Sequence, residues 1–340
     1  METKKKVNLV ITDLDDTIWD WLKMWHDSFE PYLNRISSQF QIDKSILKSE
    51  FKKIHQKYGS TESSFIYDEL ECLTQEQKNE FDKPTPTHKS ILHEYYSLKK
   101  QNLFLYQGVL ETLKIIKDKG TLIIGFTESN TFFTKYRIKH LGIDGLIYFV
   151  YAPIDTGVPK SVHRHYPEGY WDPEITEIRY LPKEVRKPSP DILEIILQDF
   201  KAKKENTIYI GDKLDKDILM ANQAGIDSVY AKYGHLIDTE KYQLLREVTH
   251  WTDNDVEREK RFKEKYKDTP LSKYTLKNSF KDILDFFDFF NFESKSSDKY
   301  LSSVLEIWKK TIDVQQHFND IELRIRNFAL TAFTFIIGGI

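Results

Sequence analysis

Asp13-Leu14-Asp15-Asp16-Thr17 sets carboxylates two residues apart directly after a short β-branched run, Val7–Thr12. Residues two apart on a strand share a face, so Asp13 and Asp15 are expected to point the same way. A carboxylate nucleophile divides a displacement at phosphorus into two easier steps. The second carboxylate could protonate the leaving oxygen and then activate water. An acidic turn after a strand would account for the same five residues.

Three further segments carry polar groups at the ends of apolar runs. Thr127 follows Thr121–Phe126, where a hydroxyl and free backbone N–H groups at a helix start suit a phosphate oxygen. A simple N-cap threonine fits equally well, and Ser129 is a neighbouring candidate. Lys187, in Arg186-Lys187-Pro188-Ser189-Pro190, precedes a proline-initiated helix. Its ammonium could neutralise charge growing on phosphoryl oxygens, although an ordinary surface lysine explains it as well. Ile210-Gly211-Asp212 with Asp217 five residues on suits a hard cation, which takes oxygen ligands.

These segments need a scaffold that brings them together. The pattern predicts strands at Val7–Thr12, Thr121–Phe126, Ile147–Tyr151, Thr207–Ile210 and Asp227–Ala231. Helices are expected between them, near Val109–Ile116, Phe132–His140, Pro188–Phe200 and Leu214–Ala224. Alternating strands and helices imply an α/β fold, a parallel sheet covered on both faces. Ligands of such sheets bind beyond the carboxyl ends of the strands, so the four segments should converge there.

With order and flanking strands taken together, Asp13-Leu14-Asp15-Asp16-Thr17, Thr127, Lys187-Pro188 and Gly211-Asp212 with Asp217 resemble the four ordered motifs of the haloacid dehalogenase superfamily. The resemblance spans roughly residues 7–232. It implies a Rossmann-like parallel sheet core, residues 1–17 and 106–234, with a helical cap inserted at 18–105 and appended C-terminal helices at 235–340. It also implies a phosphatase that uses Mg²⁺ and an aspartyl-phosphate. Asp13 would be nucleophile and metal ligand. Asp15 would be the general acid/base, with its backbone carbonyl on the metal. Thr127 and Lys187 would bind the phosphoryl group. Asp212 would ligate magnesium, and Asp217 would ligate it or orient Lys187. The dehalogenase branch lacks the second aspartate, so Asp15 argues for phosphate chemistry.

The expected substrate is a small phosphorylated metabolite. Trp19, Trp21 and Trp25 could line the pocket and stack on a nucleotide base, or simply pack the cap. Residues 152–182, rich in proline and tyrosine, suggest a long loop or a hairpin insertion. His163 and His165 with Asp172 nearby could hold a transition metal, or be a polar loop. The net charge of -3 gives no nucleic-acid footprint. The single cysteine, Cys72, excludes an intramolecular disulfide, and the N-terminus carries no secretory signal pattern. A cytoplasmic enzyme is expected.

The tail adds an alternative. Leu301–Thr331 has helical apolar spacing, and Phe328–Ile340 is almost wholly apolar after Arg324 and Arg326. It is shorter than the roughly 20 residues a span needs. It reads as a buried helix, an interfacial helix, or the start of a membrane segment continuing past Ile340. Membrane association or homo-oligomerisation through these helices is therefore expected as one outcome. The competing functional reading is a ligand-sensing module coupled through them to a membrane or partner.

Overall fold

The computed structural model describes residues 4–62, 66–154, 167, 169–182, 185–234, 239–266 and 271–292. Among them, seven parallel strands form the main sheet in the order β5-β4-β3-β2-β6-β7-β8. These are β2 (Leu9–Thr12), β3 (Leu122–Phe126), β4 (Phe149–Pro153), β5 (Glu177–Leu181), β6 (Thr207–Gly211), β7 (Asp227–Ala231) and β8 (Tyr274–Leu276). The run expected as one strand from Val7 is divided at Asn8: β1 (Lys5–Val7) pairs instead with β9 (Phe287–Phe289).

The sheet is buried on both faces because its strands carry apolar side chains on both. Val10, Ile123, Val150, Ile208 and Ile210 pack with Val109, Leu113 and Ile116 of α6 (Val109–Asp118) and Ile138 of α7 (Thr131–His140). Leu9, Ile11, Ile124, Phe126 and Tyr209 pack on the other side. There they meet Ile192, Leu193 and Ile196 of α8 (Asp191–Asp199) and Met220 and Ala221 of α9 (Leu219–Gln223). Leu9 and Ile11 against Val10 is the period-two alternation of a strand. β2 lies at the centre, with Thr12 in register with Gly125 of β3 and Ile210 of β6. The chain moves to one side of β2 through β3, β4 and β5 and to the other through β6, β7 and β8. β2 is thus the topological switch point, where open α/β sheets form their ligand crevice.

Residues 18–105 are helical as expected: α1 (Trp21–Phe40), α2 (Lys44–Tyr58), the single turns α3 (Ile66–Glu69) and α4 (Gln75–Lys78), and α5 (Ile91–Gln101). They leave and rejoin the sheet through a narrow neck, in which Tyr106 N–H donates to Ile18 O (3.0 Å) and Asp20 N–H to Phe104 O (3.2 Å). Their apolar faces share a core of their own, with Trp25, Phe29 and Leu33 from α1, Leu47 and Phe51 from α2, and Ile91 and Leu92 from α5.

The residues after 234 differ from a purely helical appendage. Leu244, Leu245 and Val248 of α10 (Thr239–Val248) complete the core of the inserted helices. A charged helix, α11 (Asp253–Lys265), follows, and then β8 extends the sheet beside β7. Phe280, Ile283, Phe287 and Phe289 pack into the sheet core. These phenylalanines are therefore core, and the short strands β8 and β9 were hidden because three residues carry no readable period. The segment 152–182 also differs: its described end, β5, is a parallel edge strand beside β4. His163 and His165 lie outside the described residues.

The expected membrane association through the C-terminus is corrected. Among the described residues, no helix is long and apolar enough to cross a membrane. Leu301–Thr331 and Phe328–Ile340, which motivated that expectation, lie outside the described residues.

Phe280 is wholly buried. Replacing it with alanine should cost about 3–5 kcal/mol, the range for a large aromatic deleted from a core. Urea unfolding of Phe280→Ala checks this. A loss near zero would detach residues 271–292 from the core.

Candidate active site

The carboxyl ends of β2, β3 and β6 carry Asp13, Thr127 and Asp212, each the first residue past its strand or nearly so. Asp13 N–H donates to Ile210 O at 2.8 Å, which locks the start of the first loop onto β6. Asp217 reaches the same place from a single π-helical turn, Leu214–Ile218, that precedes α9. A Cβ on Gly211 would stand 2.4 Å from Asp217 Cγ, so glycine is what lets this carboxylate fold back over the strand end.

One oxygen from each of Asp13, Asp212 and Asp217 falls within 4.8 Å of the others, and all three residues are buried. Lys187, itself 7% exposed, sits among them. Its Nζ donates to Asp13 Oδ1 and lies 2.8 Å from Asp217 Oδ1. Tyr209 Oη–H also donates to Asp217 Oδ1 (2.9 Å), while Lys213 N–H donates to Oδ2 (3.0 Å). Thr17 Oγ1 donates to Asp13 Oδ2 (3.2 Å).

This crowding sets the electrostatics. Burial drives the Asp13 carboxyl well above its ordinary range; the Lys187 ammonium opposes that, and Asp217, Asp212 and Asp15 add to it. Burial works against the Lys187 charge, but Asp13 and Asp217 outweigh it and hold the ammonium well above its usual value. Burial also raises Asp212, to about 6, with Lys213 restraining the shift and Asp217 adding to it. Asp212 Oδ1 is buried without a hydrogen-bond partner. An orphaned carboxylate oxygen beside two other carboxylates is the donor set a hard divalent cation takes, and such a cation would remove the cost of leaving that oxygen unpaired.

Asp15 stands apart from this cluster. Its Oδ1 accepts from Trp19 Nε1 (2.6 Å) and Arg137 Nη1 (3.1 Å), and its Oδ2 from Ser129 Oγ (2.5 Å) and Thr127 Oγ1 (3.3 Å). The expectation that Asp13 and Asp15 point the same way thus needs correction. β2 ends at Thr12, so the alternation of a strand no longer governs Asp15, and the two carboxylates engage different partners.

Asp13, Asp15, Thr127, Ser129, Lys187, Asp212 and Asp217 therefore lie in this region, in two linked groups. Glu128, Lys213, Arg137 and Glu62 were missed. Glu128 accepts from the Lys187 backbone N–H (3.2 Å) and pairs with Lys216 (2.8 Å). Burial opposes its charge, but Lys216 and Lys187 prevail and bring it to about 2. Lys213 is held charged against burial by Asp212, Asp16 and Asp13. Glu128 and Lys213 directly follow Thr127 and Asp212, and adjacency could have flagged them. Arg137 and Glu62 gave no such signal: one lies mid-helix, the other in an unremarkable Ser-Thr-Glu stretch.

The chain belongs to the haloacid dehalogenase-like hydrolases, whose family model matches residues 7–225. It is an enzyme of that hydrolase and phosphatase type. It is 24% identical over 231 residues to a glyceraldehyde 3-phosphate phosphatase of Pyrococcus furiosus, which covers 68% of this chain and 82% of that protein. A second glyceraldehyde 3-phosphate phosphatase, from Methanopyrus kandleri, is 41% identical over 56 residues, 16% of this chain and 24% of that protein. A haloacid dehalogenase-like family hydrolase from Xanthomonas campestris aligns in structure with a TM-score of 0.45 at 13% identity, covering 77% of this chain and 97% of that one.

Because Asp212 is raised to about 6, a proton competes with a cation there below that pH. A raised carboxyl contributes stability that is present at low pH and lost as pH rises through about 6. A cation binding the carboxylate restores it. Calorimetric titration with Mg²⁺ should therefore show affinity rising with pH through about 6. Affinity that strengthens toward acid would contradict this.

Proposed function

We propose that the enzyme is a Mg²⁺-dependent phosphomonoesterase that works through an aspartyl-phosphate at Asp13. The observation that carries this reading is the Asp13 carboxylate, bound by the buried Lys187 ammonium and set beside the orphaned Asp212 oxygen. Asp13, Asp212 and Asp217 would hold the ion, with the Asp15 backbone carbonyl. Bound there, the ion would neutralise phosphoryl oxygens and leave the carboxylates charged.

In the first step an Asp13 carboxylate oxygen attacks phosphorus and the bond from phosphorus to the ester oxygen breaks. Protonated Asp15 gives its proton to that departing oxygen, which leaves as an alcohol. Asp15 then takes a proton from water as the water oxygen attacks the phosphoryl phosphorus. The acyl-phosphate bond breaks, inorganic phosphate leaves, and Asp13 is regenerated. Thr127 would bind a phosphoryl oxygen with its hydroxyl, and Lys187 would offset the growing charge. Positioning and charge neutralisation of this kind supply most of the catalysis of phosphoryl transfer.

Residues 18–105 would act as the cap that covers the site and selects the substrate. A small phosphorylated metabolite fits better than a nucleotide. Trp19 and Trp25 are fully buried, and Trp25 is stacked between Trp21 (6.0 Å) and Phe29 (5.0 Å). The Trp19 and Trp25 rings are thus enclosed and offer a base nothing to stack on, and half-buried Trp21 already gives one face to Trp25. The glyceraldehyde 3-phosphate phosphatases among the relatives make three-carbon phosphates the first compounds to try.

Asp13→Asn keeps the side chain's shape but cannot form the acyl phosphate. Phosphate release from p-nitrophenyl phosphate, glyceraldehyde 3-phosphate and a nucleoside monophosphate panel should require Mg²⁺. The variant should lose about 10³-fold or more while its far-ultraviolet circular dichroism is unchanged. Turnover surviving in the folded variant would remove Asp13 as nucleophile.

A further inference from the structure

Arg137 is an unusual residue to find on a helix packed against the sheet. It is 1% exposed, its neighbours Thr134 and Ile138 are buried, and its guanidinium lies 5.9 Å from the ring centres of both Trp19 and Phe133. A charge buried so completely must be paired. Arg137 is paired twice, and on two different parts of the fold. Nη1 donates to Asp15 Oδ1 (3.1 Å), on the loop after the central strand. Nη2 donates to Glu62 Oε1, beyond the end of α2 in the inserted helices. Glu62 is also buried, and Lys99 of α5 lies 3.4 Å from its Oε1.

We propose that Arg137 is a positioning residue that ties the aim of Asp15 to the seating of the inserted helices through Glu62. The inference rests on the reading of Asp15 as the proton donor. Trp19 and Arg137 both reach Asp15 Oδ1, while Ser129 and Thr127 reach Oδ2. The two hydroxyls come from the loop after β3, and Trp19 from the neck of the insertion. Arg137 alone among these donors also grips the insertion beyond the neck. A planar fork can bind two carboxylates at fixed angles, which a lysine ammonium cannot reproduce. When Glu62 is seated, the guanidinium is fixed and with it one edge of the Asp15 carboxylate. When Glu62 withdraws, the buried guanidinium loses its counter-charge and is free to turn fully onto Asp15, drawing that carboxylate away from a departing oxygen. Proton donation would therefore be competent only with the inserted helices in place, before water can reach the site.

The test uses leaving groups. Departure of a nitrophenolate needs no proton, whereas departure of the alkoxide of glyceraldehyde 3-phosphate does. kcat/KM reports steps only through that departure. Asp15→Asn should lose far more on the alkyl ester than on p-nitrophenyl phosphate; if it does not, the reading of Asp15 fails and the proposal with it. If Asp15→Asn behaves so, Arg137→Lys, which keeps the charge, should lose about tenfold to a hundredfold in kcat/KM on the alkyl ester, the scale of a misplaced catalytic group. It should lose less than threefold on the aryl ester, roughly the size of a small packing change. Arg137→Met combined with Glu62→Gln removes both members of the buried Arg–Glu pair together, and the folded double variant should show the same selective loss. Glu62→Gln alone should show it in weaker form. Equal losses on both esters, or none, in folded Arg137→Lys or in the double variant would overturn the proposal and leave Arg137 a structural ion pair.

Discussion

Three buried carboxylates within 4.8 Å of one another are the constraint around which this structure is arranged. Asp13, Asp212 and Asp217 repel one another, and burial penalises each negative charge further. The fold answers with cations, Lys187 buried as well and Lys213 half-buried. Lys187 stands between Asp13 and Asp217, and Lys213 beside Asp212. Tyr209 and Thr17 supply hydroxyl donors. One oxygen, Asp212 Oδ1, is left without a partner, and that remainder is where a divalent cation would complete the balance. The sheet makes the crowding possible. β2 and β6 are in parallel register, with Thr12 opposite Ile210, so their last residues deliver Asp13 and Asp212 side by side.

A second ionic system, Asp15–Arg137–Glu62–Lys99, adjoins the first without merging with it. The division has chemical sense. On the proposed reading, Asp13 as nucleophile would stay ionised among cations, while Asp15 as proton donor would alternate between two states, which a metal held on its carboxylate would prevent. Leu14, buried in the sheet core between them, marks the point where the loop turns one carboxylate to each system. Asp16, at φ 58°, takes the left-handed conformation that lets the chain turn there, and its carboxylate accepts from Leu22 N–H at the start of α1. The nucleophile loop and the first inserted helix are thereby fastened together.

Much of this was legible in the sequence, for reasons that can be named. β3 and β6 are continuous apolar runs ending in a single polar residue, and a parallel sheet buried on both faces leaves that pattern. The four motifs, each weak alone, were strong as an ordered set because three of them, at Asp13, Thr127 and Asp212, had to follow a strand. Legibility failed where the structure depends on partners distant in the chain. Arg137 reads as one more cation in a helix that also carries Lys135 and Lys139, and nothing local says that it is the buried one. Glu62 is 75 residues from Arg137, too far for any periodic signal. Phe280 and Phe287 lie in the stretch expected to be an appended helical extension, and only β8 pairing with β7 and β9 pairing with β1 reveal them as core.

The central claim is that phosphorus becomes covalently bound to Asp13, and the covalent state can be observed directly. The enzyme, mixed with Mg²⁺ and a turned-over phosphomonoester, is quenched in acid during the steady state, digested, and its peptides weighed. The account predicts a phosphoryl-sized mass increment on the peptide containing Asp13, located by fragmentation at that residue and absent without Mg²⁺. A phosphoryl group found on a different residue, or active enzyme that never carries one while ester hydrolysis proceeds, would contradict it.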